Sequence, residues 1–153
     1  MSDAGNTTSG PLPRACSFAI RILVRFGDCD PAGIVFYPRL LEMFNNLVED
    51  WCSEGLNFSF DDIVTKRGWG LPTVHLEADF LAPCRLGETL TAKLFVRDIG
   101  TSSIKADIVL CGPDGRDRVR GKIVLVLMDR QSGRAMALPD ALRKSISSFV
   151  VSA

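Results

Sequence analysis

Residues 26 to 38 read FGDCDPAGIVFYP. Asp28 and Asp30 flank Cys29, Pro31 to Gly33 follow, and an apolar run then leads to Pro38. Pro, Gly and Asp are turn formers, and Pro is at home in the first turn of a helix, so the stretch reads as a tight turn feeding a helix. Upstream, Phe18, Ile20, Ile22, Val24 and Phe26 fall on every second position with Arg21 and Arg25 between them, the period of a half-buried strand. Downstream, Leu40, Phe44, Leu47, Val48 and Trp51 recur at intervals of three and four, which predicts an amphipathic helix over 38–54 with Gly55 as its stop.

Ser59 ahead of FDDIV predicts a short capped helix. Beyond it, 71–82, 88–98, 103–111 and 119–129 read as strands separated by Gly-bearing turns such as GPDG at 112–115, and 139–149 reads as a short closing helix after Pro139. The order of strand, long helix and four strands, without repeats, predicts an α+β domain in which an antiparallel sheet packs on one helix. Residues 1–17, rich in Gly, Ser, Thr and Pro, read as a disordered tail, and 18–153 as the single folded domain.

Lys plus Arg number 18 and Asp plus Glu 18, so no bulk field draws the chain to nucleic acid or an anionic membrane. No window reaches the roughly 18 apolar residues of a membrane span. The cysteines at 16, 29, 52, 84 and 111 are never spaced Cys-x-x-Cys and have a single histidine beside them in the sequence, so no metal site is predicted. A reduced cytoplasmic enzyme or binding protein without metal or redox cofactor is the expectation.

A carboxylate in a turn before a helix stands near the positive end of the helix dipole, beside N–H groups that can hold a developing oxyanion. One segment then offers a nucleophile or general base together with an electrophilic hole, the two parts acyl transfer requires. Gly33 would allow close approach of a ligand, and Pro31 would fix the direction of Asp30. On spacing alone, however, turn and capping residues are the favoured reading of Asp28 and Asp30.

This stretch, the helix behind it and the later segment LPTVHLEADFLAPCRLGETLTAKLFVRDIGTSSI resemble the hotdog-fold acyl-CoA thioesterases, most closely the 4-hydroxybenzoyl-CoA thioesterase family. The resemblance implies a hotdog fold, an antiparallel β-sheet wrapped around a long central α-helix, and hydrolysis of an acyl-CoA thioester, of benzoyl or hydroxybenzoyl type, to acid and free coenzyme A. It places the catalytic carboxylate on Asp30, the oxyanion-binding backbone N–H on Tyr37, loop support on Asp28 and the close-approach glycine on Gly33. It also implies a homo-oligomer, dimer or tetramer. An acyl-carrier-protein thioesterase, a hydratase and a non-catalytic acyl-CoA binding module are the alternatives on the same fold.

Phe36, Trp69 and Leu71 are candidates for the acyl pocket or for the core. Between Arg116 and Lys144 stand eight basic residues, Arg130 and Arg134 among them, which read either as a nucleotide site for the coenzyme A leaving group or as a charged strand edge. Cys29 reads as a packing residue, because neighbouring carboxylates disfavour a thiolate. His75, Glu42 and Glu49 read as surface or interface residues.

Overall fold

A computed structural model describes residues 17–151; the tail expected at the N-terminus lies outside the described residues except for Ser17. The expected α+β architecture is present. Strands β1 (Phe18–Leu23), β3 (Thr73–Phe80), β4 (Thr89–Ile99), β5 (Ser103–Cys111) and β6 (Asp117–Val126) form one antiparallel sheet in the order β1-β4-β5-β6-β3. Helix α1 (Tyr37–Asp50) lies across it. A small second sheet joins β2 (Trp69–Gly70), β7 (Met128–Asp129) and β8 (Arg134–Ala135), and α2 (Asp140–Ser147) closes the domain.

The core follows from two periodicities meeting. On the sheet, Leu90, Ala92, Leu94 and Val96 of β4 and Ile104, Ala106, Ile108 and Leu110 of β5 share the buried face. On α1, Leu40, Met43, Phe44, Leu47 and Val48 form the matching stripe. Each such side chain contributes about 1.5–3 kcal/mol when fully buried. At Gly121 of β6 the helix packs directly on the sheet: any side chain there would drive into the Phe44 ring. Gly121→Ala is therefore expected to lower unfolding stability by about 1–3 kcal/mol, checked by urea or thermal unfolding. A variant as stable as the parent would show that Phe44 has room to yield.

Three boundaries differ from expectation for physical reasons. The helix ends at Asp50 and runs on as a wider turn to Gly55, where Leu56 N–H donates to Trp51 O five residues back at 2.9 Å. Asn57, with φ of 60°, then reverses the chain. The strand expected over 71–82 is broken at Pro72, which has no N–H to give a ladder. Phe26, read as the end of the first strand, sits instead in a short turn (Phe26–Asp28) and is 84% exposed. The cap expected at Ser59 is present: Asp62 N–H donates to its Oγ at 3.1 Å.

The ends of the sheet position everything that follows. At one end of β6, Arg118 contacts the segment 83–88; just past the other end, Met128 and Asp129 pair with Gly70 and Trp69. Ten residues of extended chain separate these ends, about 30 Å. Tyr37, at the start of α1, belongs to the first end, its ring 6.2 Å from that of Phe80.

Candidate active site

The loop between β1 and α1 is a compact knot of backbone bonds. Cys29 and Val35 form an antiparallel bridge, Asp30 N–H donates to Ile34 O at 2.9 Å, and Phe36 N–H donates to Asp28 O at 3.0 Å. Asp28 Oδ2 accepts from Arg25 N–H at 2.9 Å. Gly33 N–H closes a turn onto Asp30 O at 2.9 Å, and its φ of 75° is left-handed, a conformation that costs any other residue. The backbone turn, rather than crowding by protein atoms, sets the need for glycine, since a side chain there would meet nothing within 4 Å.

Asp30 uses its two oxygens differently. Oδ1 accepts from Ala32 N–H at 2.8 Å, with Ile34 N–H more distant at 3.5 Å. Oδ2 has no hydrogen-bond partner among the described residues. One oxygen thus fixes the carboxylate, and the other is left open. At the helix start, Pro38 has no N–H, and Arg39 N–H is taken by Phe36 O at 2.8 Å. The Tyr37 N–H has no acceptor among the described residues, so it is the donor the helix N-terminus leaves over.

The remaining candidates divide. Phe36, 53% exposed, and Tyr37, 59% exposed, stack edge to face at 5.6 Å and with Phe80 make an open aromatic surface beside the loop. Trp69, Leu71, Arg130 and Arg134 lie toward the opposite end of β6. Trp69 and Leu71 pack on the core, with the Arg67 guanidinium 5.0 Å from the centre of the Trp69 ring. Trp69, whose place between two glycines reads as a loop, is in a short strand instead. The basic run from 116 to 144 is dispersed: Arg118 pairs with Glu88, Arg120 with Asp117, and Arg143 donates to the carbonyls of Gly100 and Thr101. His75 faces Glu77 at 3.3 Å on the exposed side of β3, Glu42 pairs with Arg39, and Glu49 is exposed.

The Cys29 thiol is held above its ordinary pKa by desolvation and then by the Asp28 and Asp30 charges, opposite to what a thiolate nucleophile needs. Cys29→Ala is therefore expected to keep activity within about tenfold of the parent in a thiol-release assay, each tenfold being 1.36 kcal/mol of barrier.

Residues 24–146 match the family model of the thioesterase-like superfamily. The chain belongs to that superfamily. The enzyme class it carries is thioester hydrolase. This thioesterase is 31% identical over 130 residues to a 1,4-dihydroxy-2-naphthoyl-CoA hydrolase of Prochlorococcus marinus (strain MIT 9515), covering 80% of this chain and 84% of that one. A thioesterase superfamily protein of Jannaschia sp. CCS1 is 26% identical with a TM-score of 0.83, over 94% of this chain and 99% of that one. A 1,4-dihydroxy-2-naphthoyl-CoA thioesterase from Synechocystis shares the fold at a TM-score of 0.79 and 23% identity, over 86% and 96% of the two chains. The family likeness therefore runs across both the Asp30 loop and the sheet.

Proposed function

We propose that this thioesterase hydrolyses an aromatic acyl-CoA, of benzoyl, hydroxybenzoyl or related dihydroxynaphthoyl type, to the free acid and coenzyme A. The observation that carries the reading is the division of labour at Asp30: Oδ1 is tied into its own turn and Oδ2 is free, in a loop that ends on the unpaired Tyr37 N–H. The free oxygen attacks the thioester carbonyl, or takes a proton from water that attacks it. The carbonyl oxygen gains negative charge and is held by the Tyr37 N–H. The C–S bond then breaks, the thiolate leaves and is protonated, and water supplies the oxygen of the released acid. The open aromatic surface of Phe36, Tyr37 and Phe80 and the substrates named for the relatives support an aromatic acyl group.

The working unit of this reading is a homodimer. Strand β3 is a sheet edge, and its Val74, Leu76 and Phe80 are exposed. Pairing two β3 edges antiparallel about a two-fold axis would bury them and set the Thr73 end of one protomer beside the Phe80 end of the other. The partner's Trp69 and Leu71 would then line the site of the Asp30 loop, and the partner's Arg130 and Arg134 would be within reach of the nucleotide. Arg130→Ala or Arg134→Ala is expected to raise KM for acyl-CoA severalfold and leave a short acyl-pantetheine substrate unaffected. Equal losses on both substrates would assign these arginines to folding. The four described cysteines are free thiols, which suits work in the reducing cytoplasm, and no helix among the described residues is long and apolar enough to cross a membrane.

Thiol release from a panel of acyl-CoAs tests the function. Aromatic thioesters should give the highest kcat/KM, above aliphatic acyl-CoAs and above the same acyl group on a carrier protein. Binding without thiol release would make the chain a non-catalytic acyl-CoA module, and preference for the carrier protein would move the leaving group.

A further inference from the structure

We infer that Arg118 and Glu88 are positioning residues for Asp30: a fork-to-fork ion pair that ties the catalytic loop to the central sheet. The inference rests on the proposed role of Asp30 and concerns residues that role leaves unused. Both ends of the catalytic loop are anchored on one segment, 84–88. Where the loop leaves β1, Val24 N–H donates to Glu88 O at 2.8 Å and Gly87 N–H donates to Val24 O at 3.0 Å. Where it returns, Val35 N–H donates to Cys84 O at 2.8 Å, Leu86 N–H donates to Gly33 O at 3.0 Å, and Ile34 bridges Arg85. The Asp30 turn is thus only as well placed as 84–88.

That segment has no regular strand to hold it, and two side chains do so instead. Glu88 folds back to accept from Arg85 N–H at 2.6 Å. Arg118, on β6, donates through Nη1 to Glu88 Oε1 at 3.1 Å and through Nη2 to Oε2 at 3.0 Å, while Nη1 also donates to Pro83 O at 2.6 Å. Only the planar guanidinium can meet both carboxylate oxygens and the carbonyl at once, which a lysine cannot copy. The pair is sheltered, with side chains 13% and 20% exposed, whereas the Arg97–Asp107 pair on the open face of the sheet is 51% and 24% exposed. Gly112 leaves the space the guanidinium occupies, since any side chain there would collide with it. The hydrogen-bonded guanidinium holds the Glu88 carboxyl below its ordinary pKa, so the pair stays ionised.

Attack on a carbonyl is sensitive to placement, and a displacement of about 1 Å caused by a change remote from the chemistry can cost about 100-fold in rate. Arg118→Lys and Glu88→Gln are therefore expected to lower kcat on the best acyl-CoA by up to about 100-fold, with KM little changed and a cooperative unfolding transition retained. Added methylguanidinium should restore part of kcat to Arg118→Ala, and Arg97→Ala should behave as the parent. Amide hydrogen exchange at Val35 and Leu86 should quicken in the Arg118 and Glu88 variants and not in Arg97→Ala. Parental kcat in Arg118→Lys, or lost activity without faster exchange and without rescue, would overturn the inference. If the parent hydrolyses no thioester, the proposed function falls by itself, and exchange at Val35 and Leu86 then decides whether the pair holds the loop.

Discussion

Asp30→Asn is expected to lose about 10²–10⁴-fold in kcat, the range of a positioned acid–base group, with a modest change in KM. The substitution is unusually clean here. Asparagine keeps an Oδ1 that can accept from Ala32 N–H, so the bond that shapes the turn at 2.8 Å survives. What changes is the free oxygen, which becomes an amide nitrogen unable to attack or to take a proton. Loss of charge near the α1 N-terminus costs about 0.3–1 kcal/mol of stability, too little to unfold a domain with this core. A kcat defect with substrate binding intact marks an interaction made mainly in the transition state.

A charge placed on the β3 edge is expected to abolish assembly and, with it, activity. Val74→Asp and Leu76→Asp alter side chains that are exposed in the protomer, so each protomer should fold and unfold cooperatively. In a β3-paired dimer the same positions are covered, and each aspartate would be buried at the seam without a cationic partner. Light scattering should then report monomer, and thiol release should fall because each Asp30 loop has lost the partner's half of the acyl site. Monomeric variants with parental kcat/KM would show that one protomer holds a complete site. Dimeric variants would place the interface elsewhere.

The parts of the fold legible in the sequence were those with a local period. Alternation from Phe18 and the three-and-four spacing from Leu40 to Trp51 gave β1 and α1 to within a few residues, and β5 matched its expected span. Sheet order was not legible, because β1 neighbours β4 across the whole helix and no local pattern records so distant a pairing. Two-residue strands such as Trp69–Gly70 carry no period at all. Phe26 extended the alternation by chance of composition: Arg25 is still extended, and the turn begins at Phe26 itself.

The site divides in the same way. Asp30, Gly33 and Tyr37 sit within eight positions, so a motif can hold them. The tie from Arg118 to Glu88 spans 30 residues and joins two side chains that look like ordinary surface charges until the loop is folded between them. Trp69 and Arg130 were grouped with Asp30 by chemistry, and within one protomer the length of β6 keeps them apart.

The most direct measurement is steady-state thiol release from a benzoyl-type acyl-CoA by the parent, Asp30→Asn, Asp28→Asn and Cys29→Ala, each first shown to be folded and equally assembled at the assay concentration. The expected result is a kcat for Asp30→Asn lower by orders of magnitude, while Asp28→Asn and Cys29→Ala retain far more of the parental rate. A folded Asp30→Asn with near-parental kcat, or an inactive Cys29→Ala beside it, would contradict attack by the Asp30 carboxylate.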